Sequence, residues 1–535
     1  MIAAKNLTAA KQPFAGQACI ENVLPVREAS IAFAVQENGS WNMNWRWSVL
    51  LVVSSMMAAV APGQSAKGVP IESRPNVLMV SIDDLNNWVG YLKGHPQAKT
   101  PNMDRLAKRG VAFTNAHCTT PLCQPSRTAI LTGLAATVTK VYGNGGKFDH
   151  TAYKMLPQFF VDHGYTTYGT GKIHHKKSVT RAIFQDSYTP EQRWSPFGSK
   201  DVEYTKGELN SKGSENPQHV IASGPGGKRY VLPFNHMSSE RYPKDRKGES
   251  FDWSAFDLPD AAFGDGKITN WAIEKMKSQP AGKPFFMAVG FYRPHIPLYA
   301  PKKYFDLYPL DSIQLPDTIP DDLADVPAAG KTRALSAVTA GTHAHVIKHG
   351  QWKHAVQAYL ASISFVDHQL GQLLNFLDES RHADNTIVVM FSDHGWHLGE
   401  KQAWGKQSGW IHSTQVPLII SGVETKAGAL CHEPVSLLDL YPTLSEMAGL
   451  PSRDLDGVSL TALLQNPSIK TTRVVKTYVN SDDYVLSGKR WRYIRYGDGT
   501  EELYDAENDP REYKNLAESN THRETISQLH SRVHK

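Results

Sequence analysis

From Asn76 to Ile82 the chain reads Asn-Val-Leu-Met-Val-Ser-Ile, a near-continuous apolar run that ends on Asp83 and Asp84. A short run of this kind, bounded by polar residues, predicts a strand buried on both faces, as in a parallel sheet. The segments 165–168, 285–289, 386–391 and 416–420 read the same way. Two of them also run into polar clusters, Gly169-Thr170-Gly171-Lys172 and Ser392-Asp393-His394-Gly395. Val356, Leu360, Ile363, Val366, Leu370, Leu373 and Leu377 recur at three- and four-residue steps and predict a long helix with an apolar face. Thr100-Pro101 opens a further helix and Gly110 closes it. Strands alternating with helices predict an α/β sheet covered on both faces. Ligands bind beyond the carboxyl ends of such strands, which is where the polar clusters fall.

The flanking regions read differently. Residues 178–260 are polar, rich in Gly and Pro and poorly periodic; a stretch that long inside a domain predicts a functional loop region. Beyond about Gly428, a helix at 437–447 leads into short strands at 474–479, 490–496 and 502–504. Turns at Ser487-Gly488 and Gly497-Asp498-Gly499 and a helix near 521–534 complete a small antiparallel sheet with a terminal helix. Near the other end, Arg46 precedes the apolar run Ser48–Ala61, and small residues follow up to Ala66. This pattern predicts a secretory signal peptide, with a single N-terminal membrane anchor as the alternative. The position of the run places the start at Met43 and makes residues 1–42 a mis-called extension.

Composition narrows the classes. The net charge of +5 over 535 residues permits an anionic substrate, and no Lys/Arg run points to nucleic acid. No repeat of solenoid period is present. Of four cysteines, Cys19 lies in the leader and Cys118, Cys123 and Cys431 in the body. Three is no disulfide framework, so one has another role; whether Cys118 and Cys431 pair or stay free is open.

That role is set by Cys123-Gln124-Pro125-Ser126-Arg127, followed by Leu131-Thr132-Gly133. It stands with the Asp83-Asp84 strand, Gly171-Lys172-Ile173-His174-His175, Arg293-Pro294-His295-Ile296-Pro297, Ser392-Asp393-His394-Gly395-Trp396, and Glu502-Leu503-Tyr504-Asp505 with Asp509-Pro510. Together these runs resemble the type I, formylglycine-dependent sulfatases of the alkaline phosphatase superfamily, most of all the iduronate-2-sulfatase group. The resemblance extends from about Pro75 to the C-terminus. It implies an alkaline-phosphatase-like α/β fold: a large mixed sheet flanked by helices, and a smaller C-terminal α+β subdomain. The chain then divides into the extension 1–42, the signal peptide 43–66, a catalytic sulfatase domain 72–427 and the C-terminal subdomain 428–535.

The resemblance also implies a site. Cys123 becomes formylglycine, whose hydrate attacks sulfur and then expels sulfate, dividing one hard step into two. Asp83, Asp84, Asp393 and His394 form the ligand set; three carboxylates suit a hard cation, Ca2+ by the resemblance and Mg2+ as the alternative. Lys172 and Lys406 hold the sulfate. Arg127 serves maturation and hydrogen-bonds the diol. The common sulfatase spacing selects His174 and the iduronate-2-sulfatase spacing selects His175, which is preferred because the other runs favour that group. His295 is the candidate general acid for the leaving alcohol. Trp88, Trp396 and Tyr299 are candidates to line a sugar pocket.

The expected protein is therefore an exported, periplasmic or extracellular sulfatase acting on a carbohydrate sulfate ester, 2-O-sulfated uronate by analogy. Its partners are the sulfated sugar and, during biosynthesis, a formylglycine-generating enzyme or a radical maturase; nucleic acid is not among them. The rivals are a phosphonate or phosphodiester hydrolase of the same superfamily, a choline-type sulfatase, and a carbohydrate-binding pseudoenzyme.

Overall fold

The computed structural model describes residues 71–204, 220–241 and 250–532. The expected signal peptide and extension lie outside the described residues.

The central strand, β1 (Asn76–Ile82), is buried at every position. Its alternate residues feed two cores: Leu78, Val80 and Ile82 enter one, and Val77 and Met79 enter the other. The remaining strands of the sheet are β2 (Val111–Phe113), β3 (Thr166–Gly171), β4 (Asp186–Tyr188), β5 (Phe285–Phe291), β6 (Thr386–Ser392), β7 (Leu418–Ser421) and β8 (Ala429–Cys431). Among the described residues the order is β8-β2-β7-β6-β1-β5-β3-β4. Only β7 runs antiparallel to its neighbours, which makes the sheet mixed.

One face is covered by α1 (Pro101–Arg109), α3 (Gly264–Ser278) and the long α4 (Trp352–Glu379). All seven periodic residues of α4 are buried, as their spacing predicts. The other face carries α2 (Cys123–Thr132) and α5 (Leu440–Met447). Every residue of α2 is buried. A helix buried all round shows no polar and apolar stripes, so hydrophobic period did not reveal it. It stops at Gly133, whose φ of 72° is a left-handed conformation that glycine adopts without strain.

Two regions contain more structure than expected. Within 178–260, β4 extends the main sheet, the segments Val202–Tyr204, Val220–Ser223 and Arg229–Leu232 form a three-stranded sheet, and Trp253–Phe256 pairs with Leu298–Pro301. These pieces are three or four residues long, too short to show a period. The C-terminal sheet has four antiparallel strands: β9 (Val475–Tyr478), β10 (Tyr484–Ser487), β11 (Trp491–Arg495) and β12 (Glu501–Asp505). β10 was missed because its end coincides with the Ser487-Gly488 turn. The helix α6 (Arg523–Ser531) packs Ile526 and Leu529 against Leu486, Tyr493 and Leu503.

This sheet also grips the loops of the main domain. The Arg492 guanidinium donates to Gly409 O and Thr414 Oγ1 at 2.8 and 2.9 Å. Thr477 Oγ1 donates to Cys118 O at 2.6 Å and Tyr478 N to Thr119 O at 2.9 Å. Arg333, on the helix Ala328–Leu335, joins Gln407 O at 2.7 Å to Asp483 Oδ2 at 2.6 Å. Cys118 and Cys431 are buried free thiols. Among the described residues no helix is long and apolar enough to cross a membrane.

Candidate active site at the carboxyl ends of the strands

β1 delivers Asp83 and Asp84, β6 delivers Asp393 and His394, β3 delivers Lys172, and the turn after β5 delivers His295. Gly290 on β5 packs against Lys172 so closely that an added Cβ would lie 2.3 Å from its carbonyl group. Asp84 takes a φ of 63°, uncommon for a residue with a side chain. That conformation is fixed by Tyr359 Oη donating to Asp84 O at 2.7 Å and by Leu85 N donating to Ser392 Oγ at 3.0 Å. It turns two consecutive carboxylates toward one point.

Cys123 is the first residue of α2 and is fully buried. Its Sγ lies 3.0 Å from Lys406 Nζ, 3.5 Å from Lys172 Nζ and 3.4 Å from His394 Nε2, and His175 also hydrogen-bonds it. Burial opposes ionisation of the thiol, but Lys172, Lys406 and His394 outweigh it and hold its pKa well below the ordinary value. The ammoniums are themselves anchored, Lys172 on Asp83 and Lys406 on Asp84 Oδ1 at 2.5 Å.

Asp83, Asp84, Cys123 and His394 offer ligand atoms within 4.8 Å of one another. Asp393 sits at the edge of this group, its Oδ2 3.4 Å from His394 Nε2 and 2.8 Å from Arg127 Nε. Burial, and then the charge of Asp83, raise Asp84 to about 7 against the pull of Lys406. Asp84 Oδ2 is buried without a hydrogen-bond partner. The His394 Nδ1 contact with Gly395 O, at 3.0 Å, fits an N–H donor there and leaves Nε2 free to act as a ligand. An orphaned carboxylate oxygen, two more carboxylates and an oriented imidazole fit a divalent cation.

Arg127 is held among the carboxylates. Its guanidinium donates to Asp83 Oδ1 at 3.1 Å, Asp393 Oδ2 at 2.8 Å, Ser81 Oγ at 3.3 Å and Ile173 O at 3.3 Å, and to Lys172 O. It aligns the carboxylates from one turn behind Cys123. The two adjacent histidines separate clearly. His174 is buried, contacts Thr128 Oγ1 at 3.2 Å, and is pushed down to about 3 by burial first and by neighbouring His175. Both histidines line the cavity, and it is His175 that acts on the Cys123 thiol and lowers its pKa.

His295 Nε2 lies 3.9 Å from Asp84 Oδ2, and its Nδ1 bonds to Ile296 O at 2.6 Å. Burial, then Lys172 and Lys406, lower its pKa well below the ordinary value, so the ring is neutral near pH 7 in the free site. An unperturbed histidine is already mostly neutral at pH 7; burial first, and then the two lysines, deepen that preference and oppose the proton-donor role expected of His295 in the free site.

A cavity of about 640 Å³ opens above these groups. Lys172, His175, His295 and Lys406 line it, as do Arg193, Trp194, Arg241 and Tyr292. The last four were not anticipated; Tyr292 alone had a signal, adjoining Arg293-Pro294-His295 just past a strand end. Trp88, Trp396 and Tyr299 are buried and do not line the cavity. Trp396 instead lies under Lys406, Nζ to ring centroid 5.5 Å.

The description "Sulfatase" matches residues 75–450, and "N-sulphoglucosamine sulphohydrolase, C-terminal" matches residues 399–535. The chain belongs to the sulfatase family and is a sulfuric ester hydrolase. A sulfatase of Formosa agariphila is 38% identical over 460 residues, 83% of each chain. Iduronate 2-sulfatase of Mus musculus is 30% identical over 447 residues, covering 76% of this chain and 74% of its own. The solved phosphonate monoester hydrolase of Silicibacter pomeroyi shares the fold with a TM-score of 0.65 at 20% identity, over 86% of this chain and 94% of that one.

Proposed function

We propose that this protein is an exported sulfatase that hydrolyses a carbohydrate sulfate ester, 2-O-sulfated uronate in particular, with Cys123 converted to formylglycine. The carrying observation is the placement of Sγ 3.0 and 3.5 Å from two buried ammoniums on the floor of a cationic cavity. The similarity to a protein named iduronate 2-sulfatase supports the substrate, and the apolar run Ser48–Ala61 supports export. In this reading Sγ stands where the oxygens of the hydrated aldehyde would be. The hydrate supplies two hydroxyls, one to bond sulfur as the S–O bond to the sugar breaks and one to lose its proton as C=O re-forms and sulfate departs.

Lys172 and Lys406, both buried, neutralise charge on the sulfonyl oxygens. His175 holds the nucleophilic group through its hydrogen bond. An anion between the lysines offsets the part of the lowered His295 pKa that they cause, so Nε2 can carry to the leaving alkoxide the proton that the attacking hydroxyl gives up. Asp83, Asp84, Asp393 and His394 would hold Ca2+, which supplies positive charge beside the nucleophile and the sulfate.

Two measurements test this reading. The Cys123 peptide from active protein is expected about 18 Da lighter than the cysteine form, the difference between cysteine and formylglycine. An unmodified thiol in active protein refutes the mechanism, and turnover of phosphonate monoesters or phosphodiesters in place of sugar sulfates refutes the substrate class. In thermal unfolding, Ca2+ at about 100 times its Kd is expected to stabilise the protein by about 2.7 kcal/mol. Asp84→Asn removes that gain, and a gain unchanged in this variant places the cation elsewhere.

A further inference from the structure

The segment 178–260, which showed no motif, contributes Arg193 to the cavity wall. Arg193 is tied to the catalytic turn through its own carbonyl and through the side chain of the preceding Gln192. Gln192 Nε2 donates to Asp265 Oδ1 at 2.7 Å and to Gly290 O at 3.0 Å, and the buried Arg293, two residues before His295, donates to Arg193 O at 3.2 Å. The side chain is fixed as well: Nη2 donates to Ser250 Oγ at 2.8 Å, and the guanidinium carbon lies 5.4 Å from the Trp194 ring centroid.

The acid closest in sequence, Glu191, is committed elsewhere, with Oε2 3.5 Å from Lys177 Nζ and Oε1 accepting from Trp194 N at 3.0 Å. Tyr292 relates Arg193 to the sulfate clamp. Lys172 Nζ lies 4.9 Å from the Tyr292 ring centroid. The phenol, raised by burial, is opposed by the positive charges of both Arg193 and Lys172. The cavity thus offers a planar guanidinium beside the lysine pair and separate from it.

We infer that Arg193 is a specificity residue that binds a second anionic group, a carboxylate or a further sulfate, on the same sugar that presents its sulfate ester to Lys172 and Lys406. This rests on the carbohydrate reading above. A guanidinium fork matches such an oxyanion with two parallel hydrogen bonds, which an ammonium does not reproduce. A sugar without the second charge leaves Arg193 solvated and gains nothing from it.

The test uses methyl glycosides in a matched set: a 2-O-sulfated hexuronate, the corresponding neutral hexose 2-sulfate, and a hexose 2,6-disulfate. Arg193→Ala is expected to lower kcat/KM about 100-fold on at least one doubly anionic sugar and to leave the neutral monosulfate within about threefold, with Arg193→Lys intermediate. Because the side chain is exposed, the melting temperature should stay within about 3 °C of wild type, which separates recognition from folding. Equal losses on all three sugars, or no loss on any, overturn the inference and leave the sulfatase reading intact. A wild-type protein that cleaves none of the three removes the carbohydrate reading and this inference together.

Discussion

Cys123→Ala is expected to fold, to bind sulfate, and to lose sulfate-ester turnover by at least about 10⁴-fold, because the variant lacks the atom from which the nucleophile is made. Folding should survive because the thiol holds nothing in place alone. Lys172 and Lys406 keep their pairings with Asp83 and Asp84, and alanine suits the first turn of α2. The paired lysines that attract an anion are unchanged in the variant, so inorganic sulfate should still bind it. Single-turnover kinetics on protein verified by sulfate-dependent thermal stabilisation is the decisive measurement. Retained turnover in folded variant moves the chemistry to another group.

Lys406→Met should cost activity and stability for different reasons. Met matches the length of lysine and removes the charge. Loss of one preorganised cation at the sulfonyl oxygens predicts a fall in kcat of about 10²- to 10³-fold. Asp84 meanwhile loses its partner at 2.5 Å while remaining fully buried, for which about 3–5 kcal/mol of destabilisation is typical. Lys401→Met supplies the control. Lys401 forms a comparably buried pair with Asp322 at 2.6 Å but does not line the cavity. The two variants should melt at similarly lowered temperatures, and only Lys406→Met should lose turnover per folded molecule. Parallel losses of both kinds in the two variants would reduce Lys406 to a structural ion pair.

What could be read from the sequence follows from what burial does to a pattern. β1, β5 and β6 are buried on both faces, so their apolar runs were plain, and the carboxylates at the ends of β1 and β6 stood out as sudden polarity. The α4 stripe was equally clear. The opposite holds for α2, buried on all sides, and for β10, which merges with its turn. Within the site, residues in recognisable runs were found and residues that act by position were not. Arg193 and Arg241 lie in a segment without period, and nothing local distinguishes them from surface arginines. The roles of Arg127 and His295 needed three-dimensional context. Arg127 is committed to carboxylates that are distant in sequence, and the lowered pKa of His295 comes first from burial and then from two lysines that flank it only in the fold.

The grip of β9–β12 on the loops around Cys118 and Gln407 gives the site an order of completion. Lys406 is synthesised long before Asp483 and Arg492, yet the loop beside it is tied through Arg333 to Asp483, and the stretch that follows it is held by Arg492. A nascent or truncated chain that ends before these strands carries every catalytic side chain but not the framework that brings the second ammonium over Cys123. Full activity is therefore expected only in chains that extend through the strands beginning at Val475, even though every catalytic side chain is encoded before them.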